Sequence, residues 1–204
     1  MAKLYFRYGV VGSAKTLNLL AVAHNYRQQG KEVLLLKPGI DTRFGTGVIK
    51  TRAGLEMPAD IIAPVHGAVT FSALDGISCI LVDEAQFLNE TVIEQLHHIA
   101  HSAVAPEAPH GIPVICYGLR TDFRQDLFSA AQKLFALADT IEEIKTTCVD
   151  CSRKAVFNLK LVNGRATRSG PSVELGCEEK YLPVCASCYD TRHAAAREQQ
   201  LCLI

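Results

Sequence analysis

Short apolar runs alternate with stretches of helical period through most of this chain. Residues 3–8 (Lys-Leu-Tyr-Phe-Arg-Tyr) form a β-prone run, followed by a glycine-bearing turn over 9–14. Residues 16–29 then carry apolar side chains at Leu17, Leu20, Ala21, Ala23 and Tyr26 and stop at Gly30, which predicts a helix with a glycine stop. Residues 32–37 and 77–82 are continuous apolar runs of the buried-strand type, the second ending in Asp83-Glu84. Residues 89–103 return to helical period, and 112–117 form a further buried strand before Gly118. Strands that are apolar throughout, rather than at alternate positions, have both faces covered. Their alternation with helices predicts an α/β fold with a parallel sheet flanked by helices. After 140–145 the texture changes to cysteines, glycines and short polar strands, which predicts a domain boundary near 146. The expected division is 1–146 for the sheet domain, 147–190 for a small second domain, and 191–204 for a polar tail, helical or frayed from Asp190 onward.

Composition narrows the function classes. A chain of 204 residues, 49% hydrophobic and 21% charged, is long enough to bury a core and carry a small appendage. Its formal net charge is zero, so no electrostatic footprint points to nucleic acid or to an anionic membrane surface. No apolar run approaches the roughly 18 residues of a membrane span. Residues 1–4 run into the first strand without an apolar leader or a small-residue cleavage site, so a cytoplasmic location is expected.

The cysteines are the most specific signal. Cys148 and Cys151 form one C-x2-C pair, and Cys185 and Cys188 form another. Each pair makes a turn that points two sulfurs the same way, and two such pairs read as one tetrahedral four-thiolate Zn2+ site. A closed all-cysteine site leaves no coordination position for chemistry, so this zinc is structural. The remaining cysteines, Cys79, Cys116, Cys177 and Cys202, are scattered, and reduced thiols fit that usage better than a disulfide framework. Cys79 and Cys116 lie in apolar runs and are expected in the core.

The chemistry is expected at the strand ends. Gly9-Val10-Val11-Gly12-Ser13-Ala14-Lys15-Thr16 sits between strand and helix and meets the G-x4-G-K-[ST] phosphate-loop template at Gly9, Lys15 and Thr16. It misses the second glycine, where Ala14 stands. Backbone N–H groups and the helix N-terminus would cradle phosphate oxygens, Lys15 adds charge, and Thr16 offers a hydroxyl to Mg2+. Alanine disfavours positive φ, so a working cradle is expected to hold Ala14 at negative φ. A plain strand–turn–helix connection also fits the octapeptide alone. Asp83 and Glu84 at the tip of a buried strand narrow the choice, since a nucleotide fold uses such carboxylates as a Mg2+ partner and as a base.

Taken with Ile40-Asp41-Thr42-Arg43-Phe44-Gly45, Asp83-Glu84-Ala85-Gln86-Phe87 and the stretch from Tyr117 to Arg124, these motifs resemble type II thymidine kinase, the bacterial cytosolic form. The resemblance covers residues 2–190. It implies a P-loop kinase domain, a zinc-ribbon lid, a homotetramer, and transfer of the ATP γ-phosphoryl group to the thymidine 5′-hydroxyl. It implies Glu84 as the proton acceptor and Asp83 as the acidic Mg2+ partner. ATP would be held by Gly9, Val10, Val11, Gly12, Ser13, Ala14, Lys15 and Thr16, with Asp83, Glu84, Ala85 and Gln86 beside them. Phe87, Leu119, Phe123 and Tyr181 match the positions that line the nucleoside pocket, and residues 165–176 match a lasso loop that reads the base through main-chain groups. The chain departs from the family at Ala14, where glycine is usual, at Val11, where methionine is usual near the thymine methyl, and at Gly176-Cys177, where Gly-Gly is usual.

Some readings stay open at this level. His97, His98 and His101 share a helix but lack completing ligands, so a surface or partly buried role is expected. Arg43 and Asp41 form either a local ion pair or a phosphate contact. Arg120 or Arg124 is expected to neutralise transferring charge. Against the kinase stands a second class, a zinc-ribbon module whose phosphate loop binds nucleoside or nucleotide without turnover. Intact Lys15, Thr16, Asp83 and Glu84 favour the enzyme.

Overall fold

Buried strands dominate the order of this chain, and the computed structural model describes residues 2–72, 74–172 and 181–201. Six parallel strands build the central sheet: β1 (Leu4–Tyr8), β2 (Glu32–Pro38), β5 (Ile61–Ala63), β6 (Ile77–Val82), β7 (Val114–Gly118) and β8 (Thr140–Glu143). Their spatial order is β5-β2-β6-β7-β1-β8. Between β2 and β5 the chain makes a short antiparallel hairpin, β3 (Val48–Lys50) with β4 (Glu56–Pro58). Neither β3, β4 nor β5 follows from the apolar pattern, because each is only three residues long.

Side chains of one strand split between two cores. Leu34, Leu36, Ile80, Val82, Val114 and Cys116 pack on one face beneath the helices α2 (Glu90–His101) and α3 (Ser129–Leu137). Val33, Leu35, Cys79, Leu81, Ile115 and Tyr117 pack on the other, beneath α1 (Lys15–Gln28). Both faces are therefore covered, which is why the strands read as unbroken apolar runs. Cys79 and Cys116 are fully buried, as expected of packing residues. In α1 the buried stripe is Lys15, Leu19, Leu20 and Ala23, while Leu17 and Ala21 are exposed. The helix begins at Lys15, buried under the phosphate loop, packs on the sheet through Leu19, Leu20 and Ala23, and leaves Leu17 bordering the cleft. Helix α2 is capped by Asn89, whose side chain accepts a hydrogen bond from the Val92 N–H at 3.1 Å.

Beyond β8 the chain builds a second, smaller unit. Its sheet is antiparallel, in the order β10-β9-β11, from β9 (Phe157–Val162), β10 (Arg165–Thr167) and β11 (Tyr181–Val184). Helix α4 (Ala186–Leu201) closes it and runs through Asp190, so Cys188 and the start of the tail share one helix, with Cys185 just before its first residue. Gly176-Cys177, residues 173–176 of the expected lasso loop, and Cys202 lie outside the described residues.

Candidate active site

All six strands of the central sheet run the same way, so the loops that follow β1, β2, β6 and β7 meet at one edge. That edge carries the phosphate loop, the Asp41-Arg43 turn, Asp83-Glu84 and the 119–123 segment. A cleft of about 310 Å³ lies there.

The loop between β1 and α1 is tight. A Cβ on Gly9 would lie 2.4 Å from Ser13 Oγ and 2.6 Å from the Ile144 carbonyl, so only glycine fits. Ala14 corrects the expectation drawn from its side chain, for it adopts φ 61 and ψ 28, in the left-handed region. The turn from strand into helix demands this conformation of whichever residue precedes Lys15, and Ala14 meets it at a cost of about 1–2 kcal/mol relative to a right-handed conformation. Lys15 folds back across the loop, donating to the carbonyl oxygens of Val10 at 2.9 Å and Gly9 at 3.3 Å. Burial lowers its pKa, with the charges of Glu84 and Asp83 opposing. Ser13 Oγ is buried without a hydrogen-bond partner. A loop this closely packed, with an orphan hydroxyl and a lysine aimed at its own carbonyls, suits an anion with several acceptor oxygens.

Two carboxylates at the end of β6 take different roles. Thr16 Oγ1 donates to both oxygens of Asp83, at 3.1 and 3.2 Å, which brings together the hydroxyl and carboxylate expected around Mg2+. Burial and the neighbouring Glu84 charge raise the Asp83 pKa. Burial also acts to raise Glu84, but the Arg43 and Lys15 charges outweigh it and hold this carboxyl below its usual range. Arg43 donates to Glu84 Oε1 at 2.6 Å and to both oxygens of Asp41, at 2.6 and 3.1 Å. The Asp41–Arg43 pair is therefore a local ion pair and part of the cleft wall at once. Gln86 Nε2 donates to Glu84 Oε2 at 2.5 Å, and Gln86 Oε1 accepts from the Leu119 N–H at 2.9 Å. Glu84 itself sits at φ 47 and ψ 40, a strained backbone of the kind found at functional positions.

The remaining predicted residues divide clearly. Val11, Gly12, Ser13, Ala14, Lys15, Thr16, Asp83 and Glu84 line the cleft, as do Phe87, Leu119, Phe123 and Tyr181. Gly9, Val10, Ala85 and Gln86 stand behind its wall. The Phe123 and Tyr181 rings lie 6.1 Å apart, and Phe87 meets Phe128 edge-on at 5.8 Å. Arg120 and Arg124 do not line the cleft. Arg120 stacks over Tyr8 and donates to the Val156 carbonyl, and Arg124 pairs with Asp122 and Ser172. The arginines at the cleft are Arg43 and Arg52. Sequence reading also missed Asn158 and Asp122, both buried and both at the cleft, since a lone polar residue, in a strand as at Asn158 or in a loop as at Asp122, carries no local signal.

The sulfurs of Cys148, Cys151, Cys185 and Cys188 all lie within 4.8 Å of one another. Cys151 is 3.7 Å from both Cys185 and Cys188. A tetrahedron with Zn–S bonds of ~2.3 Å has S···S edges of about 3.8 Å, so the donor set fits zinc. The Cys188 N–H points to Cys185 Sγ at 3.5 Å, as a metal-binding knuckle requires. No second such cluster occurs among the described residues. His97 stacks on His101 at 4.3 Å, and His101 contacts the His97 carbonyl and Asp139, so these histidines serve packing. No described helix is long and apolar enough to cross a membrane.

Comparison with known proteins agrees with this geometry. The family model for thymidine kinase matches residues 2–189. The thymidine kinase of Lactococcus lactis subsp. lactis is 40% identical over 193 residues, spanning 93% of this chain and 97% of that protein. Thymidine kinases of Streptococcus pyogenes serotype M3 and Lactobacillus acidophilus are each 38% identical, over 191 and 195 residues, covering 93% and 91% of this chain and 97% and 94% of their own. With phosphate loop, acidic strand tip, aromatic pocket and four-cysteine unit all in place, the chain belongs to the thymidine kinase family.

Proposed function

We propose that this chain transfers the γ-phosphoryl group of ATP to the 5′-hydroxyl of thymidine, releasing ADP and thymidine 5′-monophosphate. The observation that carries the reading is a single cleft lined together by the phosphate loop, Glu84 and the Phe87, Phe123 and Tyr181 rings. The loop amides, Lys15 and the orphan Ser13 hydroxyl would bind phosphate oxygens. Thr16 and Asp83 would hold Mg2+, which when bound neutralises charge on those oxygens. The thymidine 5′-oxygen attacks the γ-phosphorus, its proton passes to Glu84, and the bond from phosphorus to the ADP oxygen breaks. In a loose phosphoryl-transfer transition state the nucleophile's proton leaves late, so a carboxylate kept ionised by Arg43 and Lys15 is adequate as acceptor.

Residues 147–190 are assigned to a lid held by Zn2+ on the four cysteines, and 1–146 to the kinase domain. The metal would cross-link that unit and take no part in chemistry, since four thiolates close its coordination sphere. A homotetramer in the cytoplasm belongs to the same proposal and rests on the family alone. Purified protein assayed with ATP, Mg2+ and a panel of deoxynucleosides tests the reading. Thymidine is expected to turn over fastest, with deoxyuridine showing how far Val11 discriminates the 5-methyl group. ATP bound without turnover on any nucleoside would select the non-catalytic binding module instead.

A further inference from the structure

One side chain of the cysteine-bearing unit reaches into the machinery of the other. Asn158 lies on β9, is 3% exposed, and sits opposite Pro183 of β11. Its Oδ1 accepts the backbone N–H of Val11, in the phosphate loop, at 2.9 Å. Its Nδ2 donates to the backbone carbonyl of Thr121 at 3.1 Å, in the segment between the pocket residues Leu119 and Phe123. The amide orientation follows from chemistry, since an N–H needs an acceptor and a carbonyl needs a donor. No other side-chain type of this size offers both from one planar group. Pro183 reinforces the contact, with its Cγ 4.0 Å from where a Gly12 Cβ would stand. A separate bond, Tyr189 Oη donating to the Phe123 carbonyl at 2.6 Å, ties α4 to the nucleoside pocket and leaves the phosphate loop untouched.

We infer that Asn158 is a positioning residue that couples the phosphate loop to the nucleoside pocket through the cysteine-bearing unit. The unit is then more than a cover for the nucleoside. By engaging the Val11 amide from outside, it holds the loop's first turn in the shape that receives phosphate. The same carboxamide sets the height of the 119–123 segment. This rests on the kinase reading for the identity of the two ligands, and the geometry of the clamp is independent of it.

Two variants of the full chain separate the arms, with dissociation constants for Mg-ATP and thymidine read by calorimetry and zinc content read alongside. Asn158→Leu leaves a buried N–H and a buried carbonyl unsatisfied, a loss corresponding to roughly 5- to 150-fold in an equilibrium constant for each group. Both ligands are expected to weaken by about 5-fold or more, with zinc retained. Asn158→Asp is nearly isosteric, but its buried carboxylate faces the Thr121 carbonyl and, across the cleft, the ATP phosphates, so both ligands should again weaken by about 5-fold or more. Tyr189→Phe removes only the bond to the Phe123 carbonyl and should weaken thymidine alone. A merely structural role would move both ligands together in Tyr189→Phe as well, and that pattern overturns the proposal. So does an Asn158→Leu protein that keeps zinc and binds both ligands normally. Should the Leu variant shed zinc, normal binding of either ligand by a zinc-loaded Asp variant overturns the proposal. A wild-type protein that binds Mg-ATP but never phosphorylates thymidine would sink the kinase reading and still leave the loop arm measurable.

Discussion

The two units of this molecule are held by different physics. The parallel sheet is covered on both faces by apolar clusters that run its full width, from Leu4 and Phe6 through Ile80 and Val114 on one side and from Leu19 through Leu35 and Leu81 on the other. The antiparallel unit has a core of Leu159, Val184 and Tyr189 with Cys148 and Cys185, so two of its buried residues are themselves metal-binding candidates. An apolar core that small cannot compensate for the entropy of ordering three short strands and a helix. Four thiolates on one bound metal ion would replace the missing burial with a cross-link. The sheet therefore tolerates polar strain at its edge, as at Ala14 and Glu84, whereas the small unit depends on one constellation.

Removing the metal gives the largest expected effect and strikes that contrast directly. Cys185→Ser, or exhaustive chelation of the wild type, should release zinc and unfold residues 147–190 while the central sheet keeps its circular-dichroism signal. The thymidine KM should rise more than the ATP KM, because Phe123 and Tyr181 lose their support from α4 and β11. Wild-type protein lacking zinc on elemental analysis, or a single transition that unfolds the whole chain on chelation, would break the comparison.

Glu84→Gln comes next and leaves both units folded. A positioned carboxylate typically contributes roughly 10²- to 10⁴-fold to proton transfer, so kcat should fall by about that range. Thymidine binding should change little, since the aromatic walls remain. Near-normal kcat would remove Glu84 from the chemistry and reassign its strained backbone to some other purpose.

Ala14→Gly is the smallest and tests how much strain the large core carries. Glycine adopts φ 61 without penalty, which relieves about 1–2 kcal/mol, while its freer unfolded chain gives back about 0.4–1 kcal/mol. The net gain should raise Tm by a few degrees at most, roughly 2–4 °C per kcal/mol for a chain of this size. The ATP KM should stay level or drop modestly. A lower Tm would mean that the methyl group contributes packing in the loop that outweighs its strain.

Much of this was legible before any coordinates. Gly9 to Thr16, Asp83-Glu84 and the two cysteine pairs are contiguous, and each encodes a local turn whose geometry follows from its own residues. Strands β2, β6 and β7 were readable because burial on both faces leaves an unbroken apolar run, whereas the edge strand β8, Thr-Ile-Glu-Glu and half-exposed, gives no such run. The three-residue strands β3, β4 and β5 were not, since so few positions hold no period. The helical period of α1 was readable, but not that Lys15 is buried and Leu17 borders the cleft, since an apolar pattern ignores a lysine.

By itself, then, the sequence determined the longer elements, the order of the chemical groups and a set of four cysteines that could hold a metal. Tertiary structure alone decided which of those groups touch. Arg43 reaches Glu84 across 41 positions, Asn158 reaches Val11 across 147, and Tyr189 reaches Phe123 across 66. None of these partners lies within a helical turn or a strand repeat of the other. Ala14 shows the same rule within a single residue, since its side chain prefers negative φ and the turn between β1 and α1 imposes the opposite. Local periodicity reports only the environment of one face. Contacts between distant positions exist once parallel strands have brought their carboxyl ends to a common edge and a second unit has docked against it.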